Sequence, residues 1–275
     1  VQGLRPFSMN MEDNAMYKMP TIDLSAKSLL TLSQLGIFLV FASWGLEGAE
    51  SNIDYMFPAM MAVAGLALFL SVPNARMGVT FGIPALMVVM GVAMGENEMM
   101  MWAVFMLLMI GPIVYMPAMA TGDPTLGLDD KTRIQRLGIV WLVFAAFMIF
   151  MMSDLAVMAT DGEWSDEDPD GTEYDMSLDS TQQTIAQGAL GLGVIGVLVF
   201  LLTAVMGREV GPMRPWHGAA MTAGAMLIGD YLWVVADGAP GAGPEEIPFI
   251  LSIVGLTVLP ACIAYEGSSD PSESE

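Results

Sequence analysis

Basic residues and reactive side chains are both scarce in this chain. Its 275 residues hold one cysteine, one histidine and nine Lys and Arg. The lone Cys262 has no partner for an internal disulfide, and one His with one Cys makes no zinc set. His217, as the single histidine, excludes bis-histidine haem ligation. No lysine falls inside an apolar block, so a retinal Schiff base has no attachment point. Nine bases against 30 acids, a net charge of −21, argue against nucleic acid as a partner, because phosphate binding needs clustered Lys and Arg. No nucleophile sits beside a base, and no intramembrane His cluster or Glu-rich helix is present. The expectation is therefore a protein that is not an enzyme and carries no cofactor and no metal.

Charged residues make up 14% of the chain and apolar residues 55%, with mean hydropathy +0.59. A soluble domain carries roughly 25% charged residues. The apolar residues form eight blocks: Leu29–Leu46, Tyr55–Val72, Met77–Met94, Met99–Ala120, Leu137–Ala159, Ile185–Met206, Trp216–Ala236 and Pro248–Tyr265. A run of ~20 residues at 1.5 Å per residue matches the ~30 Å hydrocarbon core of a bilayer. The fold class expected is an all-α integral membrane protein of eight transmembrane helices.

Charge tests that count. Arg5, Lys18, Lys27, Arg76, Lys131, Arg133, Arg136, Arg208 and Arg214 all fall in segments on one side of an eight-span chain. The opposite loops hold Glu47, Glu50, Asp54, Glu96, Glu98, the run Asp161–Asp179, Asp237, Glu245 and Glu246, and no base. By the positive-inside rule both termini are cytoplasmic, in a multi-pass protein of the cell membrane. Residues 1–27 are polar, and no short apolar run with a small-residue cleavage site precedes the first block, so no cleaved signal peptide is expected.

The halves resemble each other. Ser33–Ser43 matches Gln135–Ala146 with one insertion, Ala64–Val72 matches Ile195–Val205, and Val114–Asp123 matches Thr257–Gly267, aligning Pro117 with Pro260. The order is kept, and each half has an even number of spans, so the spans form two parallel four-helix pseudo-repeats. The expected organisation is a polar cytoplasmic segment 1–27, a first half 28–122, a basic linker 123–136, a second half 137–266 with an acidic outer loop 160–183, and an acidic disordered tail 267–275.

Asp230 is the one acid well inside a block. Acids at membrane depth are costly and usually face a bundle interior or a cavity. At helical spacing it shares a stripe with Ala219, Ala223, Met226, Trp233 and Asp237, which suits an outward-open vestibule. Asp154 lies near the outer end of its span and completes a candidate pathway of Asp230, Trp233, Asp237 and Asp154. Glu47 sits near the outer end of the equivalent first span and is placed to snorkel. His217 in PWHG reads as an interfacial residue beside Trp216.

Gly188, Gly191, Gly193 and Gly196 in the sixth block and Gly218, Thr222, Ala225 and Gly229 in the seventh make helix-packing faces on which backbones can approach. Pro112 and Pro117 should kink the fourth span, and Pro260 the eighth, each freeing a carbonyl for a cation or for a Ser or Thr cap. The 27 methionines include Met99, Met100 and Met101 at one mouth, and Met87, Met90 and Met94 on one face. Thioethers suit Cu(I), but the scatter of methionine over all faces fits flexible core filler.

The loop DGEWSDEDPDGTEYDMSLDS has Asp166, Asp168 and Asp170 spaced by two before Gly171, without the closing Glu of a calcium loop, and reads as a solvated acidic loop. These features point to a carrier or channel for a small solute or cation that uses an intramembrane acid. The alternative is a structural or accessory subunit packed against a partner membrane subunit, with Met-based copper handling as a third reading. In each case the lipid bilayer is a partner.

Overall fold

A backbone in hydrocarbon must satisfy its own N–H and C=O groups, so apolar runs of this length become helices. The computed structural model describes residues 22–47, 55–95, 97–167, 172–239, 254–255 and 258–269. Its elements are α1 (Ala26–Glu47), α2 (Met56–Phe69), α3 (Ala75–Met77), a π-helical turn (Gly78–Gly82), α4 (Ile83–Met94), α5 (Asn97–Ala120) and α6 (Asp130–Met151). There follow α7 (Ser153–Thr160), β1 (Glu163–Glu167), β2 (Glu173–Ser177), α8 (Ser180–Phe200), a second π-helical turn (Leu201–Val205), α9 (Pro215–Val235) and α10 (Leu259–Ser269).

The chain is a mostly helical, polytopic membrane protein. Among the described residues, six helical stretches are long and apolar enough to cross a bilayer: Lys27–Leu46, Ala75–Ala93, Met99–Ala120, Asp130–Thr160, Ser180–Val205 and Pro215–Val235. The second expected span is a 14-residue helix, Met56–Phe69, about 21 Å long at 1.5 Å per residue. It ends early because Ser71 and Asn74 turn the chain with positive φ, 52° and 61°, around Pro73. Much of the eighth block, Pro248–Tyr265, lies outside the described residues. Helix α10 runs to Ser269, three residues into the segment expected as a disordered tail.

The fifth block starts earlier than its apolar run. Asp129 caps α6 by accepting from Thr132 N at 2.9 Å, so Lys131, Arg133 and Arg136 ride on the first turns of the helix. At Met152 (φ −92°, ψ 5°) the helix breaks and restarts as α7 at Ser153–Asp154, residue types that favour helix starts.

Packing follows from small residues opposite large ones. A Cβ on Gly65 of α2 would stand 2.8 Å from Phe38 Cβ of α1, and one on Gly45 would stand 2.6 Å from the Phe57 ring. The main core gathers Phe38 and Phe41 of α1, Ile110 and Ile113 of α5, Trp141 and Phe144 of α6, and Phe200 of α8. Methionine fills gaps between them: Met61, Met109, Met116, Met148 and Met226 are all buried. A second, smaller core joins Leu155, Met158 and Ala159 of α7 to Ala186 and Ala189 of α8 and Ala225 and Leu232 of α9.

The expected solvated loop is instead partly built. Residues 163–167 and 173–177 pair as an antiparallel hairpin in which Trp164 stands opposite Met176, and Met176 is 1% exposed. The alternation Glu163-Trp164-Ser165 and Asp175-Met176-Ser177 puts one apolar residue per strand on a common face, enough to seat the hairpin on the second core.

Candidate functional site

Asp230 lies on α9 one helical turn before Trp233; the helix ends at Val235, and Asp237 follows the extended Ala236. It is half-buried, and its Oδ2 is closed off from solvent. Above it the hairpin covers the end of α9. The Trp164 and Trp233 rings meet at 5.9 Å between centroids. Ser177 and Asp237 exchange two backbone hydrogen bonds, the Ser177 N–H donating to Asp237 O at 3.0 Å and the Asp237 N–H to Ser177 O at 2.9 Å. Gly238 has φ +81°, and a Cβ there would overlap the Asp175 carbonyl oxygen, so only glycine lets the hairpin lie this close. Of the four expected pathway residues, Asp230 and Trp233 share a stripe of α9, whereas Asp237 lies past the helix end and pairs with Ser177. Asp154 is exposed on α7, beside its neighbour Ser153.

Below this cap, α8 and α9 touch backbone to backbone. A Cβ on Gly196 would stand 2.8 Å from Gly218 O and Thr222 N, and one on Gly218 would stand 2.6 Å from Gly196 O. Thr222 is fully buried and donates to Gly218 O of its own helix at 3.0 Å, and Gly193 faces Ala225. Gly229 instead meets Leu155 of α7. Gly188 and Gly191 fall on the exposed side of α8, with open space where a Cβ would stand. Their positions in the 3.6-residue period differ from those of Gly193 and Gly196, which explains why four glycines in one helix do not form one face.

Polar side chains inside and around the bundle are spent on helix carbonyls. Pro117 has no N–H for the carbonyl four residues back, and Gln34 of α1 supplies one instead, donating from Nε2 to Ile113 O at 2.8 Å and to Val114 O at 3.2 Å. The cap expected from Ser, Thr or a cation thus comes from a glutamine on another helix. Pro260 is the second residue of α10, whose first, Leu259, directly follows the π-helical Val258. Three more glutamines hold the ends of neighbouring helices. Gln182 donates to Val235 O of α9 at 3.1 Å, and Gln183 and Gln187 donate to Thr160 O and Ala159 O of α7 at 3.3 and 3.1 Å. Sequence reading passed over all four, although glutamine inside or bordering an apolar block was the available signal.

At the opposite, basic end Asp123 gathers three elements. Arg76 Nη2 stands 2.7 Å from its Oδ2, Lys27 Nζ 3.8 Å from its Oδ1, and Thr125 donates to it from backbone and hydroxyl. Burial pushes the Asp123 carboxyl up, but the Thr125 donors with Arg76 and Lys27 outweigh it and hold it below its ordinary value. Arg133 adds a bond to Met119 O at 2.6 Å, tying α6 to the end of α5. His217 stacks on Trp216 at 3.7 Å and accepts the Arg214 N–H on Nδ1 at 3.0 Å, so it serves the start of α9.

No family model, characterised protein or solved structure matches this chain.

The site is thus read on geometry and chemistry. Among the described residues no three His, Cys, Asp or Glu side chains converge as a metal-binding set. Asp168 and Asp170 of the calcium-like spacing lie outside the described residues. What the arrangement offers is a carboxylate within a membrane-length helix, aromatic rings above it, and an acidic surface over those.

Proposed function

We propose that this protein is a carrier or channel for a small solute or cation, built on eight spans in two related four-helix halves, with both termini in the cytoplasm of a cell whose plasma membrane it crosses. The observation that carries this reading is Asp230: an acid inside α9 with one oxygen buried, one turn before Trp233 on the same helix. A carboxylate at membrane depth is retained against an insertion cost of roughly 2.5–3.5 kcal/mol, which a purely structural position does not need. In this reading Asp230 takes up a proton or a cation and its occupancy biases access.

The test is flux in proteoliposomes with a trapped pH dye, under imposed Na+ or K+ gradients. Wild type is expected to pass protons or exchange them for the cation. Asp230→Asn keeps the shape, removes the charge, and should abolish the signal while preserving helicity and elution volume. Equal flux in both proteins overturns the reading.

A specific observation favours a second reading, an accessory subunit of a larger membrane complex. The α8–α9 seam is closed by Gly196, Gly218 and Thr222, and the glutamines serve helix ends, so much of the polar chemistry is architectural. An accessory subunit should show no flux of its own and should keep its assembly with Asp230→Asn.

A further inference from the structure

We infer that the β1–β2 hairpin is a salt-sensitive lid over Asp230, admitting water and cations to the carboxylate only when it lifts from α9. This rests on reading Asp230 as a group that must be reached from the acidic end.

Contacts on the hairpin's inner face hold it down. Trp164 lies against Trp233, Met176 is buried, and the two backbone bonds between Ser177 and Asp237 fix its base to the end of α9. Asp230 sits one turn before Trp233 on α9 with Oδ2 shielded, so the ring pair lies on its acidic-end side.

Two features oppose docking. Trp164 Nε1 is buried without a hydrogen-bond partner, and an N–H taken from water and left unpaired works against the docked state. Charge works the same way. Glu163, Glu173 and Asp175 of the hairpin are exposed beside Asp161, Asp179 and Asp237 at the helix ends, six acids. Among the described residues, the bases belong to the opposite end of the bundle. Like charges on exposed groups repel over a Debye length of about 30 Å at 0.01 M salt and about 3 Å at 1 M, so salt relieves the repulsion and leaves the apolar contact in charge. The lid should close in high salt and loosen in low salt.

The experiment uses the full chain with Cys262→Ser and Asp230→Cys in nanodiscs, where both ends are open to a water-soluble thiol reagent that carries no charge, so that screening does not change its concentration at the acidic surface. Labelling should be slow at about 1 M NaCl and about threefold to tenfold faster at about 0.01 M. Trp164→Ala removes the ring pair and should raise the rate about threefold to tenfold in high salt. Gly238→Val, whose side chain has no room beside the Asp175 carbonyl, should do the same and flatten the salt dependence. A rate that neither substitution changes would show that the hairpin does not cover Asp230.

The unsubstituted chain provides an independent measurement. A glutamate-specific protease should cut at Glu163 or Glu173 faster in low salt than in high salt, after normalisation to an unstructured acidic peptide. Cleavage with no residual salt dependence would refute the electrostatic control. Gated labelling without proton flux would keep the lid and discard the carrier; flux lost in Asp230→Asn with ungated labelling would do the reverse.

Discussion

Replacing Gln34 by leucine should reveal how this bundle tolerates a proline in the middle of a span. Gln34 is 8% exposed and donates to the Ile113 carbonyl that Pro117 leaves without a helical partner. Gln34→Leu keeps the volume but strands that carbonyl among apolar side chains. An unsatisfied buried polar group costs about 1–3 kcal/mol. Interhelical bonds in membrane proteins average about 0.6 and reach about 1.7 kcal/mol in double-mutant cycles. The expected loss is therefore about 1–2 kcal/mol, since Pro117 cannot supply the N–H four residues on. The control is Pro117→Ala, which returns an N–H to Ile113 and should make Gln34 dispensable. Equilibrium unfolding in mixed micelles, followed by circular dichroism over increasing SDS, measures all four corners of the cycle. The account expects a coupling of about 1 kcal/mol or more between the two positions. Losses that add within about 0.5 kcal/mol would refute it, because the glutamine would then be serving something other than the proline's carbonyl.

Other substitutions test the rest of the packing. Gly196→Ala forces α8 away from the Gly218 carbonyl and should cost about 1–3 kcal/mol in the same assay, whereas Gly188→Ala, on the open face of the same helix, should stay within about 0.5 kcal/mol. Asp123→Asn should weaken the basic end by less than about 1 kcal/mol, because the partners Lys27 and Arg76 are partly solvated. Its carboxyl is held below the ordinary value of 3.8, so the contribution is fully present above that pH and is lost as pH falls through the lowered value. The stability gap between wild type and Asp123→Asn should thus be flat near neutrality and narrow only in acid below 3.8; a gap that narrows between pH 7 and 5 would contradict the assignment.

Much of the fold was legible because it is written in local pattern. Apolar runs mark helices without reference to anything distant, and Gly218, Thr222 and Ala225 at helical spacing mark the α9 side of the seam. The faces of α8 were harder, since a helix rich in glycine offers several stripes and only the neighbour decides which is used: Gly193 and Gly196 were taken, Gly188 and Gly191 were not. The glutamine caps were not legible at all. Gln34 and Ile113 are 79 residues apart, and Gln182 reaches Val235 across 53. The hairpin escaped for a related reason. Its strands are rich in Asp and Glu, which disfavour β-structure. They pair because Trp164, Met176 and the end of α9 give them a surface, which no reading of the loop alone could supply. Asp230 and Trp233 were visible from the sequence on one stripe; Trp164 and the hairpin above them were not.

The account depends most on which end of the bundle faces out, because the lid, the acidic surface and access to Asp230 all belong to one end. In a Cys262→Ser background, single cysteines at Ser165 on β1 and at Pro212 between α8 and α9 occupy exposed positions at opposite ends. Intact cells treated with a membrane-impermeant maleimide should label the cysteine at Ser165 and spare the one at Pro212 until the cells are permeabilised. Labelling at Pro212 in intact cells, with Ser165 protected, would contradict the account: the charge separation that orients the spans would be accidental, and Asp230 would open toward the cytoplasm.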